Sequence, residues 1–338
     1  MRYEKTNISP VLLRNARVET ACGRSARAIG CSLVAFLLSL PPARADVVAD
    51  WTKIALHTVI SSEQRPERAA REMATVHVAM FESMNFVEGI YIPRFVVKLP
   101  QPLSASSDAA AAAAAHYVLV QLHPKQERAL DAALQDSVAA IPDAQERSSA
   151  LIAGKALGAI VHTIWSPDSS SAGTDISGST SKASRVRTPT REPAANAVAW
   201  YWIVAQFVEA QRLRPIESAR LYALVSMSLS DLYGGANRDA THFHESERPC
   251  APCASGAAIR VILESDLEPT DISEITLTRA GATGAAYVSS RVRAYGRGLS
   301  SEQLDGRVNR RPSIEAGEKL GRTIGLRALV NYKPSRNL

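Results

Sequence analysis

The stretch ESERPCAPCASGAA, residues 245–258, brings together several side chains whose types and spacing suit chemistry. Cys250 and Cys253 lie three positions apart, and the other two cysteines, Cys22 and Cys31, are in the N-terminal segment. Arg248-Pro249 precedes the pair, Ser255-Gly256 follows it, and His242 and His244 stand a few residues upstream. These residues allow three chemistries. Two cysteines in an oxidising compartment form a disulfide, structural or redox-active. Two imidazoles and two thiolates suit tetrahedral zinc in kind, although H-x-H-x5-C-x-x-C is no common finger spacing, so zinc is the weaker fit. The Arg248 guanidinium beside a helix starting near Ser255-Gly256 would make a cradle for phosphate or a similar oxyanion. Each feature also has a plain reading: a surface arginine, an ordinary helix cap, solvated loop histidines. A thioredoxin-like pair would need a βαβ pattern nearby, and the sequence has none.

The N-terminus bears on the compartment. AIGCSLVAFLLSL (28–40) is a short apolar run behind Arg14, Arg17, Arg24 and Arg27, followed by PPARA with Ala43 and Ala45. That run is short for a bilayer span and has the form of a cleaved export signal, so residues 1–45 are expected to be removed and the rest to be periplasmic or secreted. The segment carries seven Lys/Arg against two Glu, so the formal charge of +6 falls to about +1 without it. The basic balance therefore gives no argument for a nucleic-acid partner. No second stretch is apolar enough to span a membrane, so no integral segment is expected after cleavage. Oligomeric state cannot be read from the chain.

The elements that must position the cysteine stretch read as helices. DVVADWTKIALHTVI (46–60) and RAAREMATVHVAMFESMNFVEG (68–89) carry apolar residues at helical spacing. The second has a stripe of Met73, Val76, Met80, Met84 and Val87, with Gly89 as its stop. Asp108 is the expected N-cap of a helix that begins with seven alanines. Two further helices follow, parted by Pro142-Asp143. Residues 46–165 thus read as an antiparallel helical half. The Ser/Thr/Gly/Pro-rich 166–196 has little to bury and reads as a loop or linker. A second helical half, 197–338, is expected to pack with the first as one domain. In it Pro215 opens a helix that Gly234 should end. Gly317, Gly321 and Gly325 recur every four residues near the C-terminus, a face that lets a neighbouring backbone come very close. The fold class is all-α, a multi-helix bundle.

This order of segments resembles the bacterial vanadium-dependent haloperoxidase-like proteins, which share the type 2 phosphatidic-acid phosphatase superfamily. RAAREMATVHVAMFESMNFVEGIY (68–91) resembles their early helix, SARLYALVSMSLSDLYGG the helix before their first catalytic motif, and SIEAGEKLGRTIG (313–325) the helix after their last. The similarity runs from residue 46 to about 330. It implies a helical bundle holding phosphate or vanadate among Lys and Arg charges, Ser and Gly donors, and two histidines. The motifs themselves are altered. Arg248-Pro249 match, but Thr241 occupies the lysine position. Ser255-Gly256 match, but Ala257 stands where a histidine belongs; against a Cys-Ala-His-Cys version of the loop, Pro252 replaces it instead. In the third motif Gln303 aligns with Arg and Asn309 with His, while Ser313 falls at the acidic position and Arg311 lies nearby. The resemblance therefore implies an oxyanion site reduced to Arg248, Ser255, Gly256 and Arg311, without confident catalytic residues, binding a small oxyanion or phosphorylated small molecule. Its rivals are an active phosphoric monoester hydrolase or haloperoxidase with a rearranged site, and a metal or redox module of His242, His244, Cys250 and Cys253. Within the first reading a Cys250–Cys253 disulfide is expected to pin the loop.

Overall fold

The computed structural model describes residues 46–62, 64–95, 104–139, 141–165, 200–239, 249–265 and 310–334. The chain divides into two units, Met1–Ala45 and Asp46–Leu338, and every described residue belongs to the second. The described residues form nine α-helices: α1 Val47–Ser61, α2 Pro66–Glu88, α3 Ser107–Leu122, α4 Glu127–Val138, α5 Ala144–Trp165, α6 Trp200–Gln211, α7 Pro215–Asp239, α8 Ala251–Ser265 and α9 Arg310–Leu329. One isolated bridge, Tyr91 to Pro334, is the β-type pairing among them. The segment 166–196 lies outside the described residues.

The caps follow from local chemistry. The Asp46 carboxylate accepts from the Val48 amide at 3.0 Å and starts α1. Pro66 and Pro215 stand at the first positions of α2 and α7, where a missing N–H costs nothing. Gly89 ends α2 at φ 68°, a left-handed value that glycine adopts without strain. Two boundaries differ from expectation. Ser106 caps α3, accepting from Ala109 N at 3.2 Å, and Asp108 sits inside the first turn, where its charge favours the helix dipole. Gly234 does not end α7, which runs on to Asp239. Gly234 has open space where a Cβ would stand. Gly234→Ala is therefore expected to stabilise the chain by about 1 kcal/mol through helix propensity alone, read as a higher denaturant midpoint.

Helices α2 and α7 lie at the centre and pack on each other. Helices α1, α3 and α5 cover α2, while α8 and α9 pack on α7 and, most extensively, on each other. The expected α2 stripe faces the main core: Met73, Val76, Met80 and Met84 are fully buried, and Val87 is partly buried against a smaller cluster. Small residues set the closest approaches. A Cβ at Gly154 would overlap the Ala110 carbonyl, and one at Gly158 would stand 3.0 Å from the Ala114 oxygen. The alanine run of α3 is thus buried under α5 because neither helix has bulk at the crossing.

The glycine face expected at the C-terminus is present and meets α8. A Cβ at Gly317 would stand 2.5 Å from the Cys250 oxygen, one at Gly321 would overlap the Ala254 carbonyl, and one at Gly325 would stand 2.7 Å from the Ala258 oxygen. Three glycines four residues apart thus oppose Cys250, just before α8, and Ala254 and Ala258 within it, also four apart, backbone against backbone. This pairing sets where the cysteine stretch sits.

Candidate functional site

Cys250 immediately precedes α8, and Cys253 lies in its first turn. Their sulfurs are joined in the expected disulfide, with Cα atoms 5.2 Å apart. Three amides at this helix start are already engaged. The Cys250 amide donates to the Ser313 carbonyl of α9 at 3.0 Å, the Cys253 amide to the Cys250 sulfur at 3.2 Å, and the Ala254 amide to the Cys250 carbonyl at 2.9 Å. Pro252 has no amide hydrogen to offer. A disulfide also removes both thiolates, so zinc has no sulfur ligand here while the bond is intact. Among the described residues no group of His, Cys, Asp and Glu has the geometry to hold a metal ion.

The anion-binding residues fall in three places. Ser255 and Gly256 lie in the second turn of α8, beyond the free amides of a helix start, and both are buried. Ser255 is fully buried, and its hydroxyl has no hydrogen-bond partner among the described residues. Arg311, in the first turn of α9, faces solvent and donates from Nε to Glu315 at 3.0 Å, with 89% of its side chain exposed. Ala257 is buried on α8, so the position aligned with histidine carries a methyl group inside the packing. Thr241, His242, His244, Arg248, Gln303 and Asn309 lie outside the described residues.

An unpartnered buried hydroxyl costs about 1–3 kcal/mol. Ser255→Ala is therefore expected to raise the denaturant midpoint of the anion-free protein by an amount equivalent to about 1 kcal/mol. A lowered midpoint would mean that the hydroxyl has an acceptor.

Periodicity did not single out the polar groups of the bundle interior. His77 sits in the α2 stripe with 0% exposure. Its Nδ1 lies 2.6 Å from Ser226 Oγ and its Nε2 3.0 Å from Thr52 Oγ1. Tyr201 donates to Ser226 at 2.8 Å, and Thr52 donates to the Val48 carbonyl at 2.7 Å. The Ser226 hydroxyl donates to the Tyr222 carbonyl at 2.6 Å and the Thr52 hydroxyl to that of Val48, so towards the ring both oxygens act as acceptors, and the single N–H of a neutral His77 serves one of them. Ser226 and His77 have the spacing of a nucleophile and base, but burial pushes the imidazole down to about 3, too weak a base for work near neutrality. The group is sealed from solvent and structural.

Two buried carboxylates on α2 behave differently. Glu72 is desolvated, yet hydrogen bonds from His123 at 2.9 Å, Gln64 at 2.6 Å and Arg68 at 2.9 Å outweigh that and hold it below the usual carboxylate range. Glu82 is raised to about 7 by burial, which the Arg94 amide at 3.2 Å and the Arg94 charge only partly offset. A helical pattern reads the spacing of apolar residues, so a polar residue within a stripe carries no signal of its partners.

No described helix is long and apolar enough to cross a membrane. No protein-family model matches the chain, and no curated protein sequence matches it. Among solved structures it is similar to the crystal structure of the first bacterial vanadium-dependent iodoperoxidase, with a TM-score of 0.55 and 12% identity over 84% of this chain and 96% of that one. At that identity the likeness shows the fold. The chain has the all-α architecture of a vanadium-dependent haloperoxidase, as the resemblance of its segments implied.

Proposed function

We propose that this chain uses the haloperoxidase-type bundle as an exported, catalytically weak or inactive protein that binds a phosphate-like anion at a depleted oxyanion site. The observation that carries the reading is the Ser255 hydroxyl, a buried donor with no acceptor among the described residues, beside the disulfide-closed start of α8. An oxyanion would accept from it, with Arg248 as the charge expected to join it. Turnover needs more than binding. Phosphoryl transfer requires a nucleophile and vanadium an axial ligand, and neither Ala257 nor Asn309, at the two positions aligned with histidine, supplies one. Arg311, paired with Glu315 in solvent, contributes least in its present rotamer.

The test is the thermal midpoint of the oxidised protein with and without millimolar phosphate or orthovanadate. An anion bound only by the folded state raises it, by about 1.4 kcal/mol of stability at ten times Kd. A rise that disappears in Arg248→Ala and in Ser255→Ala supports the reading, and no rise with either anion refutes it. Phosphomonoester hydrolysis and peroxide-driven iodide oxidation with added vanadate are expected to proceed at the buffer rate. Export is tested separately by sequencing the N-terminus of protein recovered from the host: a start at Asp46 supports cleavage, and an intact N-terminus counts against it.

A further inference from the structure

We propose that Cys250–Cys253 is an exchangeable redox disulfide, reduced by a dithiol through attack at Cys250. This goes beyond anion binding and does not depend on it. The bond closes a ring with two intervening residues, so it restricts the unfolded chain far less than a long-range disulfide does. Its value as a staple is correspondingly small. The surrounding backbone is held by other bonds: Cys250 N to Ser313 O, and Ala254 N to Cys250 O. Opening the S–S bond leaves both in place, so the loop keeps its shape in the reduced form.

The two sulfurs differ. Cys250 stands at the N-terminal end of a fifteen-residue helix, and its sulfur accepts from the Cys253 amide at 3.2 Å. Amide donation and the helix dipole both favour negative charge on that sulfur. Cys253 lies one turn into the helix, and its Cβ packs towards Gly317, where an added Cβ would stand 3.2 Å away. Both cysteines are buried to the same degree and α9 lies against both, so the two sulfurs differ in how well each holds negative charge, which favours Cys250.

The exchange balances as follows. One thiolate of the external dithiol attacks Cys250 Sγ; the S–S bond breaks, and Cys253 leaves as a thiolate and takes up a proton. The second thiolate of the reagent then attacks its own sulfur in the mixed disulfide. Cys250 departs as a thiolate stabilised by the Cys253 amide. Two electrons pass to the cysteine pair, Cys253 takes up one proton while Cys250 stays a thiolate, the remaining proton of the dithiol goes to solvent, and the dithiol ends as its disulfide.

The experiment uses the full oxidised chain. It is treated with dithiothreitol without denaturant, quenched in acid and alkylated, with peptide mapping to separate Cys250 and Cys253 from Cys22 and Cys31. Reduction of the native protein is expected, with Cys250 alkylated at least tenfold faster than Cys253 in a timed labelling of the reduced form. Cys253→Ser exposed to oxidised glutathione should form a mixed disulfide at Cys250, and Cys250→Ser should form little at Cys253. Reduction that needs guanidinium, or equal labelling of the two thiols, overturns the proposal. The wild-type arms decide it even where a variant fails to fold.

Discussion

Replacing Gly321 with alanine is expected to destabilise the chain by about 3 kcal/mol, although the same exchange in an open helix stabilises by about 1 kcal/mol. A Cβ at 321 overlaps the Ala254 carbonyl oxygen and stands 2.7 Å and 2.8 Å from the carbonyl carbon and Cα of the same residue. All three are backbone atoms of α8, so no side chain can swing away to make room. Relief requires the helices to part. Parting them strains the neighbouring contacts, because Gly317 and Gly325 make the same kind of approach one turn on either side. It also pulls on the Cys250 N–H bond to Ser313. A larger side chain, as in Gly321→Leu, should keep α9 from docking. The measurement is the denaturant midpoint with an unchanged m-value, compared with Gly234→Ala, which differs only in having open space at its Cβ. A midpoint for Gly321→Ala at or above wild type would show that α8 and α9 do not pack this closely.

The second large effect is on pH. The buried imidazole of His77 falls from an ordinary 6.5 to about 3 in the folded chain, so between those values the unfolded state holds the extra proton. Stability therefore falls as pH drops through this window, by about 4 kcal/mol once pH reaches the lower end. Glu82 acts in the opposite sense. Burial raises it from 4.5 to about 7, so between those values the folded state holds the extra proton and stability falls as pH rises. That loss is about 3 kcal/mol by pH 7. The two slopes nearly cancel between pH 4.5 and 6.5. Below 4.5 the His77 slope stands unopposed. Glu72 adds to it, because a carboxylate held low by its hydrogen bonds contributes stability above its unfolded value and loses it in acid.

Wild type should thus show a plateau down to about pH 4.5 and a steep acid limb below it. Glu82→Gln removes the opposing slope and is expected to unmask a steady decline from pH 6.5 downward. His77→Gln should flatten the acid limb while lowering stability at neutral pH, since Thr52 and Ser226 lose the ring between them. Urea unfolding at half-unit pH steps separates these outcomes. A Glu82→Gln profile parallel to wild type would mean that the carboxyl does not hold its proton in the folded state.

The helices, their starts and the disulfide were legible in the sequence because their causes are local. Pro215 and Gly89 act on atoms within one turn of themselves, and the stripe of α2 is a matter of spacing along one chain. The limit of such reading shows at Ser106, Asp108 and Gly234. Two neighbouring residues could each cap α3, and the glycine of α7 is tolerated because packing on α2 outweighs its propensity. The repeat of Gly317, Gly321 and Gly325 announced a close approach, but only the tertiary structure named Cys250, Ala254 and Ala258 as its partners.

For the candidate site the division is sharper. Composition determined that Ala257 brings no imidazole and that Cys250 and Cys253 can join. Tertiary structure alone decided that Ser255 is buried with no partner among the described residues, that Arg311 turns outward to Glu315, and that His77 lies neutral among Ser226, Thr52 and Tyr201. Residue types and spacings are properties of the chain as written. Burial and partnership arise from segments far apart in sequence coming together, and desolvation, which shifts His77 and Glu82 so far, exists only after they have done so.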